Sequence, residues 1–338
     1  MPTLYLTEPR SLVRLDGECL QVQVPEDRRA GREKRTVEIP LLKLDDVVVL
    51  GEVTLTASAI GALLERAIPV CYLGAHGQYR GMLLPEPSRH AHLRIAQHRA
   101  HHDPAQRLAL ARRFVSGKLS NMRTLLLRQQ RTLPSTDLAP AAESLKRGIT
   151  AAAGTESVSS LLGVEGAASA AYFGVFAQLL RQPLGFSRRL RRPPPDPVNA
   201  MLSFGYALLT QKVIAAAQTA GLDPYVGYLH VAQYGRPAVA LDLMEEFRPI
   251  IADSVVLVCA NRRILGPDHF VTELGSCRLN EPGRRAFLEQ FEARLNQEIE
   301  HPIFGYRVTY RRCLELQARL LGKALLGETP AYPPFTVR

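Results

Sequence analysis

Between residues 11 and 24 apolar positions alternate with polar ones: Val13 and Leu15, then Leu20, Val22 and Val24 after an Asp16-Gly17 pair. A period of two predicts strands, and the Asp-Gly pair predicts a hairpin closed by a primed turn. TVEIPLLKLDDVVVLG, PVCYLG and GQYRGMLLP add short apolar runs, and Thr56 stands where it would cap a short helix through ALLER. Residues 1–87 are expected to form a small β-rich domain with one helix. Beyond about residue 88 the apolar spacing lengthens to that of helices, in ARRFVSGKLSNMRTLLLRQQR, SLLGVEGAASAAYFGVFAQLL, VNAMLSFGYALLTQKVIAAAQTAG and the 284–325 region. Proline-rich or polar breaks such as TLPSTDLAPA and RRPPPDP separate them. The expected fold is α+β with two domains: the β-rich one followed by a larger all-α domain over 88–326. The last stretch, 327–338, is too rich in proline for a helix and is expected to run extended, either as a docking element for a partner or as a frayed end.

The 338 residues suffice for two domains, each with its own core, and 46% hydrophobic with 22% charged residues excludes a disordered chain. No unbroken run of eighteen apolar residues occurs and MPTLYLTEPRSLVRL lacks the apolar core of a signal peptide, so a soluble, cytosolic protein without membrane contact is expected. Five scattered cysteines without a C-x-x-C pair argue for free thiols over a disulfide framework or zinc ribbon. Lys plus Arg number 42 against 32 Asp plus Glu, a net charge of +10, and only six of the cations are lysines. Arginine-favouring codons would explain the ratio but not the excess. Arginine grips phosphate bidentately and stacks on bases, which points to nucleic acid.

Four acidic and imidazole side chains are candidates for chemistry. Glu165 is the one carboxylate in LLGVEGAASAAYFGVF, and on a helix it shares a face with Ala168, Ser169 and Tyr172. Taken alone, that face reads as a solvated glutamate beside a close helix contact. In GLDPYVGYLHVAQYGRPAVALDLMEEFRP, Asp223-Pro224 is a helix-start signal, so PYVGYLH is expected to be a short helix with His230 near its last turn. ALDLMEEF then resumes a helix ending before Pro249, with Asp242 and Glu245 on one face. Singly these residues read as caps or solvated pairs; together with Glu165 they make an oxygen-plus-imidazole site suited to Mn²⁺ or Mg²⁺.

Around this site, Arg188, Arg189, Arg191 and Arg192 form either a phosphate clamp or a solvated charge run, and Arg248 adds a further DNA-binding candidate. Asn199, Ser203 and Tyr206 share the next helical face, as groove lining or as satisfied core groups. HAHLRIAQHRAHHD holds five of the nine histidines (His90, His92, His98, His101 and His102), but no glutamate stands where a zinc protease needs its base. It reads as the basic start of the interdomain helix.

LLGVEGAASAAYF, RRPPPDPVNAMLSFGYALL, GLDPYVGYLH and GRPAVALDLMEEFRP, in this order and spacing, resemble the CRISPR-associated protein 1 family, the spacer-acquisition integrases, over essentially the whole chain. The resemblance implies a metal site of Glu165, His230 and Glu245 with Asp242 beside it, and Mg²⁺ or Mn²⁺ as cofactor. It also implies a transesterification in which the 3′-hydroxyl of a captured DNA fragment attacks a phosphodiester at the edge of a CRISPR repeat. Implied partners are double-stranded DNA, a second copy of the chain as a homodimer, CRISPR-associated protein 2, and an end-processing nuclease as a further candidate. A stand-alone structure-selective repair nuclease and a non-catalytic DNA-binding scaffold remain open at this point.

Overall fold

The computed structural model describes residues 3–27, 33–74, 79–85, 90–132, 137–182, 184–190, 193–231 and 233–337. The chain divides into two compact units, Met1–Pro87 and Ser88–Arg338.

In the first unit, strands β1 (Thr3–Leu6), β5 (Asp46–Leu50) and β7 (Val70–Leu73) run parallel, and β8 (Tyr79–Leu83) adds antiparallel to β7. A second four-stranded sheet has the order β4 (Arg35–Pro40), β3 (Cys19–Val24), β2 (Ser11–Asp16), β6 (Val53–Leu55). The alternation at residues 13–24 becomes the β2–β3 hairpin, in which Asp16 pairs with Cys19. Its loop is therefore Gly17-Glu18, and Gly17 takes the φ of 55° that a primed turn needs at its first central position. Helix α1 (Ala57–Glu65) is capped by Thr56, whose hydroxyl accepts from the Ala59 N–H. The inward positions Val13, Leu20, Val22, Val47, Val49, Leu63 and Val70 share one core between sheets and helix.

The second unit is built of α2 (Ala91–His102), α3 (Pro104–Thr132), α4 (Ala139–Ala153), α5 (Val158–Phe176), α6 (Pro197–Thr219), α7 (Ala238–Glu245), α8 (Ser254–Asn261), α9 (Glu281–Asn296) and α10 (Tyr310–Leu325). A π-helical turn, Pro249–Asp253, leads into α8. Two antiparallel ribbons, β9 (Phe270–Glu273) with β10 (Ser276–Leu279) and β11 (Glu298–Glu300) with β12 (Arg307–Thr309), depart from the expected all-α pattern, and the second divides the 284–325 region into α9 and α10. Helix α6 starts where the proline-rich break predicts, with the Asp196 carboxylate accepting from the Asn199 N–H and Pro197 at the first helical position. It is apolar on most sides and lies at the centre of the unit, against α7, α8 and α10. Helix α3 packs on α4 and α5.

Averaged hydropathy makes Val158–Leu179 and Pro197–Thr219 long and apolar enough to cross a membrane, where no unbroken apolar run does. The second of these is the core helix α6, and the first carries Glu165 against a lysine of α3. All five cysteines are free.

Residues 327–337 run without helix, and their aromatic side chains are core residues of the second unit. Tyr332 is 1% exposed and packs on Phe114, while Phe335 is 0% exposed and stacks on Phe247 with ring centres 4.8 Å apart.

Candidate functional site

Segment 223–230 does not form the expected helix. The Asp223 side chain accepts from the Tyr225 N–H in a local turn, so the signal read as a helix start closes a bend instead. The N–H groups of Tyr228, Leu229 and His230, which a helix would give to its own carbonyls, all point at the Asp242 carboxylate, at 2.5, 3.0 and 2.9 Å. From the other side, buried Gln97 donates to the carbonyls of Asp223 and Val226, His101 Nδ1 lies 2.6 Å from the Gly227 carbonyl, and Arg107 donates to that of Tyr228. Helices α2 and α3 thus hold the outer edge of the bend, with Gln97 and His101 the contributions of the histidine-rich stretch. Gly227 fits because a Cβ there would lie 2.6 Å from the Ala238 backbone.

Asp242 also receives the His230 Nδ1 proton, at 2.7 Å. That bond fixes the tautomer and leaves Nε2 with its lone pair directed away from Asp242. His230 Nε2 stands 3.7 Å from Glu245 Oε1, which Arg248 approaches to 3.2 Å. The other oxygen of Glu245 lies 2.7 Å from Lys118 Nζ, and the same ammonium contacts Glu165 Oε1, which Ser169 also bonds at 2.8 Å. Burial would raise the Glu245 carboxyl, but Arg248, Lys118 and His230 outweigh it and hold the group down at about 2. Glu165, Glu245, His230 and Asp242, spread over 81 residues of sequence, are thereby brought into one connected cluster.

Lys118 is the residue that sequence reasoning missed. It is 4% exposed on the core face of α3, in step with Ala111, Phe114, Val115 and Met122. A lone lysine on that apolar stripe, in a chain whose cations are mostly arginine, was the available signal.

Lys118 and Glu165 open into a cleft of about 420 Å³ whose other walls include Gly166, Ala170 and Gly174 of α5 together with Arg188, Arg189, Tyr206 and Arg248. Of the expected DNA-binding residues, Arg188, Arg189, Tyr206 and Arg248 therefore face one space; Arg191 and Arg192 lie outside the described residues. Asn199 does not line the groove. It is 0% exposed, its oxygen accepts from Arg189 and from the Leu190 N–H, and its amide donates to Asp196 and to the Arg188 carbonyl. Its hydrogen-bonding capacity is thus spent on holding the arginine loop. Ser203 accepts from Arg189 at 3.2 Å.

Tyr206 donates its hydroxyl to Asp253 at 2.7 Å, as does Tyr172 at 2.9 Å, and its ring carries the guanidinium groups of Arg248 and Arg189 at 4.9 and 5.4 Å. A ring held in this way orients both arginines toward the cleft. Burial raises the Asp253 carboxyl to about 6, against the pull of both hydroxyls and of Arg189 and Arg248. Because the folded value exceeds the unfolded one, the linked stability is full at low pH and is lost as pH rises through about 6. Asp253→Asn, with no proton to lose, should gain on the wild type by roughly 3 kcal/mol between about pH 4 and pH 7 in urea titrations. Identical pH slopes would contradict the shift.

Among the described residues, no three His, Cys, Asp or Glu side chains stand at metal-ligand spacing as a ready group. The donors nevertheless fit a divalent ion. Two carboxylates converge on one cation, the Lys118 ammonium, and His230 Nε2 faces a carboxylate oxygen at 3.7 Å, so oxygen donors and an imidazole nitrogen gather around one point.

Residues 4–293 match the family model of CRISPR associated protein Cas1. The chain is 42% identical to a CRISPR-associated exonuclease Cas4/endonuclease Cas1 fusion of Geobacter sulfurreducens, over 99% of this chain and 60% of the fusion. It is 41% identical to a CRISPR-associated endonuclease Cas1 of Thermus thermophilus, over 99% and 97% of the two chains. Among solved structures, a casposase bound to its integration product superposes with a TM-score of 0.88 at 25% identity, covering 97% of this chain and 92% of that one. A chain of a Cas6-RT-Cas1–Cas2 complex superposes with a TM-score of 0.79 at 27% identity, over 98% of this chain and 36% of that one. A match of this extent, on a chain with this bipartite fold, has one meaning: the chain belongs to the CRISPR associated protein Cas1 family.

Proposed function

We propose that the chain is a metal-dependent DNA endonuclease and strand-transfer integrase that inserts captured DNA fragments as spacers into a CRISPR array. The observation that carries this reading is the convergence of Glu165 and Glu245 on one cation, next to the oriented imidazole of His230 and an arginine-lined cleft. The endonuclease names of the relatives and the casposase's integration product support the reaction class.

Glu165, Glu245 and His230 Nε2 would hold Mg²⁺ or Mn²⁺, which when bound supplies a Lewis acid for the phosphodiester and eases loss of the attacking hydroxyl's proton. The chain's own residues do the rest. Arg188, Arg189 and Arg248 neutralise and orient the phosphates, the latter two braced on the Tyr206 ring. Gly166, Ser169, Ala170 and Gly174 keep most of the α5 wall low around Glu165, with Phe173 its one large side chain there, which leaves room for a sugar-phosphate backbone to approach the carboxylate. The fragment's 3′ oxygen gives up its proton and forms a new P–O bond, while the bridging oxygen of the repeat strand leaves with its electron pair and takes up a proton, ending as a hydroxyl. One diester replaces another, and no covalent protein intermediate is required.

Asp242 acts through His230, by setting its tautomer and the backbone that presents it. Asp242→Asn should lower the single-turnover rate by about 10- to 100-fold, the range for outer-shell partners of metal-bound histidines. A rate within twofold of wild type would remove Asp242 from the site.

The proposed assembly comprises duplex DNA, a homodimer of the chain and Cas2, acting in the cytoplasm; the complex with Cas2 among the structural neighbours and the fused exonuclease among the relatives support Cas2 and an end-processing nuclease as partners. The test is a strand-transfer assay with the chain, its Cas2, a labelled duplex bearing 3′-hydroxyl ends, and plasmid carrying the cognate leader and repeat. Joining with Mg²⁺ or Mn²⁺ and none in EDTA is the expected result. Cleavage without joining would favour a stand-alone repair nuclease, and binding with neither product a scaffold.

A further inference from the structure

We propose that Lys118 is a built-in counter-cation for the site: it holds Glu165 and Glu245 together, gives them up to the divalent ion, and is thereby delivered to the DNA-facing cleft. The inference rests on the metal reading above and adds to it an exchange of one cation for another. An ammonium that is 4% exposed is costly to bury unless paired, and Lys118 is paired twice, with Glu165 Oε1 and with Glu245 Oε2 at 2.7 Å. A divalent ion that takes both carboxylates competes for those same oxygens, and ammonium and metal held there together would place like charges side by side at low dielectric.

The side chain, not the helix, is what can move. At Gly117 even an added Cβ would stand 2.9 Å from the Glu246 side chain and 3.0 Å from Pro334, so α3 is wedged at this point. Lysine, by contrast, is a compact charge on a four-carbon stem that rotates freely about its bonds. It also has a destination, since Lys118 lines the cleft that holds Arg188, Arg189 and Arg248, where a phosphate would meet a released ammonium. Lysine at this position in an arginine-rich chain suits such an exchange, because a compact ammonium changes partners without the fixed fork geometry of a guanidinium.

Mn²⁺ alone is the probe, titrated into the full chain by calorimetry and electron paramagnetic resonance for wild type, Lys118→Met and Glu245→Gln. Lys118→Met is expected to bind Mn²⁺ at least ~10-fold more tightly than wild type, because the competitor is gone. Its melting temperature in EDTA should fall, and its gain on adding Mn²⁺ should exceed that of wild type. Equal or weaker affinity would overturn the exchange. A measurement on the wild type decides the matter even if the variant fails to fold: reductive methylation read by mass spectrometry. Lys118 should be protected in EDTA and react once Mn²⁺ is added, while exposed Lys146 and Lys323 react alike in both conditions. Protection that persists at saturating Mn²⁺ would also overturn it. Absence of Mn²⁺ binding to wild type, or unchanged binding by Glu245→Gln, would instead refute the metal reading, and the exchange with it.

Discussion

Glu245→Gln is expected to reduce strand transfer by at least about 10³-fold while the variant still folds and still binds duplex DNA. The glutamine keeps the shape of the side chain and removes only its charge. That charge is what Arg248, Lys118 and His230 converge on, and they hold the carboxyl down at about 2 although burial alone would raise it. The fold should survive because the cations keep other partners: Lys118 retains Glu165, and Arg248 retains the face of Tyr206. Removing one member of a buried ion cluster costs up to about 3–5 kcal/mol, so a lowered melting temperature is part of the expected result. DNA binding should hold or tighten, since the variant is one unit more positive. Single-turnover joining and filter binding at one salt concentration check the two halves separately; a less than tenfold drop in joining would place Glu245 outside the chemistry.

Phe335→Ala is expected to destabilise the second unit by about 3–5 kcal/mol, the range for a large aromatic lost from a packed core. Phe335 is fully buried and stacks on Phe247, with the rings of His301 and Tyr310 against it at 5.6 and 6.4 Å. Its backbone is tied as firmly. The Phe335 N–H donates to Glu246 Oε2 at 2.8 Å, and Asn121 donates to the carbonyls of both Glu246 and Phe335 while accepting from the Val337 N–H. Glu246 is adjacent in sequence to Glu245, so loosening the tail should also slow joining, by less than Glu245→Gln does. Urea denaturation followed by circular dichroism gives the stability change; a cost below about 1 kcal/mol would make the tail's packing dispensable.

Much of the architecture was legible because its signals are local. The alternation from Val13 to Val24 needs only neighbouring residues to declare a hairpin, and Asp196-Pro197 needs only its own turn to start α6. Where two local structures share one signal, the sequence misled. Asp223-Pro224 suits a helix start and a side-chain turn equally, and the choice was made by Asp242 and Gln97, which captured the backbone groups a helix would have used. The tail was open between docking element for a partner and frayed end; instead Tyr332 and Phe335 are buried in its own unit, a contact that only the packed helices could supply. Asn199 shows the same limit from the other side: groove lining and satisfied core group were both open for its helical face, and the loop before it, which takes up its amide, decided for the second.

By itself the sequence determined the class of each unit, the places of α3, α5, α6 and α7, and Glu165, His230, Asp242 and Glu245 as candidates, since periodicity and motif spacing are written in adjacent residues. Only the tertiary structure decided what those side chains face. Lys118 meets Glu165 across 47 residues and Tyr172 meets Asp253 across 81, and no local pattern encodes such a pairing. The reason is physical: a buried charge is tolerated only where an opposite charge arrives to meet it, and that meeting is a property of packed helices rather than of any one of them.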